Sequence, residues 1–279
     1  MRQATEKPDH SQCRPPSRDA EALSDDGFLD GRLQILQPKR GYRAGMDAVF
    51  VAAAVACKGG ESVFEAGTGT GVAALCLARR VEGVRVTGLE ISPFYRRLAR
   101  DNAERNGLDE AVTVVAGDIR HLTGARAITA PPPGSFHHVF ANPPFYETEN
   151  VPKAGHDHKA RARAMAPREL ECWIEAMIAM AAPRGTITLI HRAQALERIL
   201  AAFARRVGGL RILPLFPRAG RPASRVIVRA IEGSRAQPTL LPGIVLHGRG
   251  HGFTPQAEAI LHHGRAVAMA TRPVGREPV

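Results

Sequence analysis

The chain reads as an α/β fold, a seven-stranded, mostly parallel sheet with helices on both faces and a small β-hairpin ahead of it. Three observations predict this. From Glu61 onward, short β-rich runs alternate with segments of helical length, the pattern of strands joined by crossover helices. The ends of successive strands carry glycine or a lone carboxylate, at Gly67, Glu90 and Asp118, which is where open sheets of this kind bind ligands. A hydrophobic content of 44% over 279 residues is enough for a sizeable core.

Residues 1–26 are polar, contain Pro15-Pro16 and show no apolar period, so a flexible tail is expected there. Phe28 to Gln37 sets two apolar arms around Asp30-Gly31, a hairpin turn. Gln37 to Arg43 is a turn-rich connector, and Met46 to Cys57 is an Ala-rich helix that Asp47 can start. Strand one is Ser62 to Ala66, followed by a glycine loop and the helix Val72 to Arg80. Strand two is Arg85 to Glu90, Pro93 opens a helix through Asn106 closed by Gly107, and strand three is Val112 to Ala116. Thr123 to Gly134 is a loop, and strand four is His137 to Ala141. Glu147 to Pro167 lacks any apolar period and is expected to be a long mobile loop. Glu169 to Ala182 is an amphipathic helix whose Trp173 reads as core. Strand five is Thr186 to His191, a helix covers Ala193 to Val207, and strands six and seven are Leu210 to Leu215 and Arg225 to Ile231. Leu240 to Leu246 suits a further strand, and Thr254 caps a helix over Pro255 to Leu261. The expected organisation is a tail (1–26), a hairpin and helix packed on the core (27–60), a core domain (61–231) and a C-terminal extension (232–279).

The loop after strand one, Gly67-Thr68-Gly69-Thr70-Gly71, lets backbone pass close to a ligand. Its G-x-G-x-G spacing differs from that of dinucleotide and phosphate loops, and no Lys follows to hold a phosphate. Glu90, ending strand two, can accept from both hydroxyls of a ribose, and Asp118, after strand three, from an adenine amino group. An adenosine ligand without phosphates is implied, and S-adenosylmethionine fits: its carboxylate against the helix after Gly71, its ammonium favoured by Glu65.

Strand four ends in Asn142-Pro143-Pro144-Phe145. Two prolines freeze the backbone beside an aromatic ring, so the stretch can hold a planar amino group. If the Asn142 side-chain oxygen and the Pro143 carbonyl accept from that group, they orient it and raise electron density on its nitrogen. The same four residues also fit a strand-ending turn. The adjoining methyl-donor pocket favours the clamp. Tyr146 serves equally as a second stacking ring or as core.

Charge is uneven. Residues 1–150 carry 18 Lys/Arg against 19 Asp/Glu, whereas 151–279 carry 20 against 8, so the positive field belongs to the second half and suits a polyanion such as nucleic acid. Lys153, Lys159, Arg161 and Arg163, with Arg168, and then Arg218, Arg221 and Arg225, are the expected phosphate contacts. No apolar run is long enough to span a bilayer. The acidic N-terminus lacks the apolar core of a signal peptide, so a cytoplasmic location is expected. Cys13, Cys57, Cys76 and Cys172 show no metal or disulfide spacing, so no metal site is expected.

With these residues assembled, the chain resembles the class I S-adenosylmethionine-dependent methyltransferases, which have a Rossmann-like sheet, over roughly Leu33 to Ile231. Asn142 to Phe145 matches the N-P-P-[YF] motif of enzymes that methylate exocyclic nitrogens. Gln37 to Arg43 followed by Asp47 is similar to a segment of the tRNA1(Val) adenosine N6-methyltransferases. The resemblance implies Tyr42, Arg43 and Asp47 as cofactor contacts and a tRNA anticodon-loop adenosine as substrate. Two alternatives share the motif: guanine N2 methylation of ribosomal RNA and N5 methylation of a protein glutamine. A scaffold that binds the cofactor without catalysis is a third reading, against which the intact clamp argues.

Overall fold

The computed structural model describes residues 22–122, 131–147, 164–165, 168–204 and 206–269. A hairpin of β1 (Leu23–Phe28) and β2 (Leu33–Pro38) leads to helix α1 (Met46–Ala54). Strand and helix then alternate through β3 (Ser62–Ala66), α2 (Val72–Arg80), β4 (Arg85–Glu90), α3 (Pro93–Arg105), β5 (Val112–Ala116) and β6 (Phe136–Ala141). Two short strands, β7 (Tyr146–Glu147) and β8 (Ala164–Met165), precede α4 (Glu169–Met180), β9 (Ala181–Arg192) and α5 (Leu196–Phe203). The described chain closes with β10 (Val207–Phe216), β11 (Arg225–Glu232), β12 (Thr239–Leu240), β13 (Ile244–Val245) and α6 (Pro255–Leu261).

The main sheet has the order β12-β10-β11-β9-β6-β3-β4-β5, with β13 also paired to β10. Only β11 runs against its neighbours, β9 and β10; the other described pairs in this sheet are parallel. The seven expected strands are present, and the two-residue strands β12 and β13 extend the sheet to nine. Alternate strand residues feed opposite faces, as the pleat requires. Val63, Phe140, Ile190 and Ile227 join a core with the hairpin, α1, α2 and α6. Phe64, Val139, Leu189 and Val226 join a second core with α4 and α5.

Several expectations are corrected. The hairpin's first arm begins at Leu23, so the tail expected through residue 26 ends earlier, and residues 1–21 lie outside the described chain. Its polar sequence gave no apolar period; Asp25 pairs with Arg105, and Asp26 with Arg43 at 2.6 Å, both partners distant in sequence. Asp47 does not cap α1, whose N-cap is Gly45; it lies in the first turn and accepts from Arg225 Nε at 2.9 Å. The strand expected over Leu240 to Leu246 is split into β12 and β13, because Pro242 has no N–H for a ladder. The C-terminal extension is part of the core body as far as Met269: β12 and β13 join the sheet and Ala257 and Ile260 of α6 are buried in the first core. Most of the loop expected over Glu147 to Pro167 lies outside the described residues, though its ends pair as β7 and β8.

Candidate active site

Parallel pairing aligns Ala66 with Leu89 and with Ala141, and Glu90 with Ala116. The glycine loop, Glu90, Gly117 and Asn142 are thereby brought to one edge of the sheet, the carboxyl ends of β3, β4, β5 and β6.

Gly67, Gly69 and Gly71 all have left-handed φ, at 67°, 55° and 86°. At the first two a side chain has no room: a Cβ on Gly67 would lie 2.4 Å from Trp173 Cη2, and one on Gly69 2.6 Å from Tyr42 Cε1. Gly71 is the N-cap of α2 and offers no side-chain cap; of the first-turn N–H groups, that of Ala74 is taken by the Glu65 carboxylate, and the helix N-terminus keeps its positive partial charge. Tyr42 is held over the loop by its neighbours. Its N–H donates to Tyr95 Oη at 3.0 Å, while the fully buried Asn102 Nδ2 donates to the Thr70 carbonyl at 2.9 Å and to Leu36 of the hairpin at 3.0 Å.

The carboxylates differ in their surroundings. Glu65 is buried and accepts from the Thr68 hydroxyl; burial pushes its carboxyl up to about 8. Glu90 is also buried, which raises it, and its carboxylate accepts from the backbone of Gly69 (2.9 Å), Ser92 (2.8 Å) and Ile91. Ile91 beside it is 58% exposed, an apolar surface next to a hydroxyl acceptor. Asp118 is gripped by Arg120 through Nε (2.9 Å) and Nη2 (2.6 Å), and that guanidinium holds its carboxyl below the usual range.

At the end of β6 the Asn142 Oδ1 atom is buried and has no hydrogen-bond donor among the described residues. A buried acceptor left unpaired costs free energy, so its place in a ligand-facing edge marks it for a donor from outside the chain. The loop behind it is braced by β9. His191, two residues past the Ala141/Leu189 pair, lies within 3.3 Å of the Pro144 carbonyl through Nε2 and sets its ring edge against Phe145, with centroids 5.0 Å apart. Burial pushes the imidazole down to about 4, so it stays neutral and donates to that carbonyl. Arg225 lies over the Phe145 ring at 4.9 Å, fixed by its ion pair with Asp47.

Tyr42, Glu65, Gly67, Gly69, Gly71, Glu90, Asp118 and Asn142 to Phe145 therefore share one edge. Arg43 does not join them: its guanidinium binds Asp26 and Ser24, each at 2.6 Å, and the Pro38 carbonyl at 3.1 Å, all in the hairpin. Asp47 reaches the clamp through Arg225. Arg225, expected as a phosphate contact, is instead half-buried and committed to Asp47 and Phe145. Arg218 and Arg221 are exposed, with Arg218 Nη1 on the Gly248 carbonyl at 2.9 Å. Lys153, Lys159, Arg161 and Arg163 lie outside the described residues. Trp173 is core as expected, yet it also walls Gly67. Sequence reasoning missed Thr68, Ile91 and His191; the last ends a strand that neighbours β6, which only sheet order reveals.

This edge suits an adenosine ligand that carries a positive charge and no phosphate. It supplies buried carboxyls, the start of α2 and an exposed apolar residue, and the loop has no lysine. Its chemistry agrees with S-adenosylmethionine. A family described as "Methyltransferase domain" matches residues 63–163. A tRNA1(Val) (adenine(37)-N6)-methyltransferase of Porphyromonas gingivalis is 30% identical over 174 residues, 59% of this chain; the match spans 64% of that relative's length. A release factor glutamine methyltransferase of Chlorobaculum tepidum is 31% identical over 125 residues, 44% of this chain and 40% of its own. The crystal structure of a predicted O-methyltransferase from Agrobacterium tumefaciens superposes with a TM-score of 0.66 at 30% identity, over 79% of this chain and 97% of that one.

Proposed function

The chain belongs to the S-adenosylmethionine-dependent methyltransferases, and we propose that it methylates the exocyclic N6 amine of an adenosine in RNA, specifically the anticodon-loop adenosine of a valine tRNA. The observation that carries this reading is the buried, donorless Asn142 Oδ1 beside the methyl-donor pocket.

S-adenosylmethionine, when bound, supplies a methyl group that is electrophilic at carbon. Glu90 would receive its ribose hydroxyls, Ile91 and Tyr42 would flank it, the N-terminus of α2 would favour its carboxylate, and Glu65 would favour its ammonium. Asn142 Oδ1 and the Pro143 carbonyl each accept one N–H of the target amine. This turns the nitrogen lone pair away from conjugation with the ring and toward the pocket. Both acceptors are fixed before the substrate arrives, Oδ1 by burial and the carbonyl by two prolines, so little reorganisation accompanies the reaction. Phe145, braced by His191 and Arg225, offers its remaining ring surface to the base. A base must leave its stack to reach the clamp, which costs least for an unpaired loop nucleotide.

An amine acceptor is favoured over a hydroxyl. A hydroxyl needs a base to take its proton as transfer proceeds, and the imidazole at the clamp, His191, is a weak base that spends its Nε2–H on the Pro144 carbonyl and keeps its basic Nδ1 buried. The basic second half of the chain favours RNA over protein, and the names of the tRNA relatives support adenine. Methylation of a protein glutamine is the second reading, supported by the name of the Chlorobaculum relative.

Incubation with labelled S-adenosylmethionine and total RNA or total protein separates them. Label is expected in tRNA as N6-methyladenosine, and Asn142→Ala should remove transfer, by about a hundredfold or more, with cofactor affinity within a few-fold of the parent. Label confined to protein, or found as N2-methylguanosine, overturns the proposal. A large loss of cofactor affinity in Asn142→Ala would reassign that residue to the cofactor site.

A further inference from the structure

We infer that two loops of the C-terminal third, residues 217–225 and 246–253, form a rigid phosphate track for the RNA strand flanking the modified base; this rests on the RNA reading above. The placement follows from sheet order. From the clamp on β6, the neighbours run β9, β11, β10 and then β13. Residues 217–224 leave the carboxyl end of β10, and Arg225 opens the antiparallel β11 opposite Arg192 of β9. Residues 246–253 leave the carboxyl end of β13, which is parallel to β10. Both loops therefore lie on the edge that carries Asn142. At about 4.8 Å per strand spacing they sit roughly 15–20 Å along that edge from the clamp, within reach of a few nucleotides.

The two loops are tied to each other. His247 N–H donates to the Pro217 carbonyl at 3.1 Å, Leu246 N–H to Phe216 at 2.8 Å, and Arg218 Nη1 to Gly248 at 2.9 Å. The His247 ring stacks on Phe253 at 4.8 Å and bridges to it through backbone, so the second loop is braced from within. At the two tips Gly220 and Gly250 have left-handed φ, with no atom near a would-be Cβ, and the adjoining Arg221 and Arg249 are exposed, as is His251.

Charge names the partner. Apart from Arg225, whose charge is paired with Asp47, residues 217–225 and 246–253 contain Arg218, Arg221 and Arg249 with His247 and His251, and no Asp or Glu. A merely solvated face mixes signs, whereas a stretch of one sign on preorganised loops suits a polyanion. The C-terminal extension thus contributes to substrate binding as well as to the core.

The test measures binding of the full-length protein to an unmodified tRNA transcript over a series of KCl concentrations. The variant Arg221→Gln/Arg249→Gln should lower the slope of log K against log salt by about 1.4, two contacts at roughly 0.7 each on a single strand. KM for RNA should rise while kcat at saturation, melting temperature and cofactor affinity hold. Arg85→Gln, at the amino end of β4, should leave the slope unchanged. Unaltered affinity and slope in the double variant, with RNA still methylated, overturns the track and leaves the RNA reading standing. An equal effect of Arg85→Gln overturns it as well, by showing a general charge effect. A parent protein that neither binds nor methylates RNA but methylates protein overturns the RNA reading and the track together.

Discussion

Glu65 sits beneath the glycine loop at 3% exposure, with the Thr68 hydroxyl on its carboxyl and a pKa pushed up to about 8 by burial. At neutral pH its protonated form predominates, and a cation bound beside it would favour the charged form. Cofactor binding at pH 7 should therefore release a proton, measurable by calorimetry in buffers of different ionisation enthalpy, and affinity should climb as pH rises to about 8. Glu65→Gln should abolish the proton release and flatten the pH dependence. Stability follows the same sign. The folded chain holds a proton that the unfolded chain loses above the ordinary carboxylate range, so this group's contribution is lost as pH rises through about 8. The position of single residues was legible where a strand visibly ends, as at Glu90 and, just past Ala141, at Asn142. They were illegible where the role depends on an adjacent strand or a remote partner. His191 becomes a brace only because β9 lies beside β6, and Arg43 and Arg225 are drawn off by Asp26 and Asp47.

Among the elements, the glycine loop has the least tolerance for change. Gly69→Ala places a methyl 2.6 Å from the Tyr42 ring at a φ of 55°, so either the ring or the loop must move. The left-handed conformation alone costs roughly 1–2 kcal/mol for a residue with a Cβ. Cofactor affinity should fall at least tenfold, read by equilibrium dialysis, while the circular dichroism of the folded chain stays that of the parent. A variant binding as tightly as the parent would show that Tyr42 does not wall the pocket. The elements themselves were mostly readable because they are local: Ser92 accepts from Tyr95 N–H ahead of Pro93, and Thr254 accepts from Ala257 N–H ahead of Pro255, as N-caps do. The exceptions are elements defined by pairing. β1 has a polar sequence and exists through β2, Arg43 and Arg105, while β12 and β13 exist through β10.

Across the whole molecule, Asn102 connects regions far apart in the chain. It is fully buried on α3, accepts from Leu36 N–H at 2.8 Å, and donates to Leu36 of the hairpin and Thr70 of the glycine loop. Asn102→Leu leaves buried backbone groups unpaired at about 1–3 kcal/mol each, so unfolding free energy should drop by roughly 3 kcal/mol in urea titration. Cofactor affinity should fall with it, since the hairpin and loop lose their shared anchor. A variant of unchanged stability would mean that water replaces the amide. The sequence by itself determined the alternating architecture and the placement of the glycine loop, Glu90 and the Asn142 to Phe145 turn at strand ends, since each rests on periodicity or on adjacent residues. Only the tertiary structure decided which side chains meet at that edge of the sheet, that His191 and Arg225 pack on Phe145, and that the C-terminal extension shares the edge. Those facts arise from strand order and from contacts between residues distant in the chain, and no local pattern encodes them.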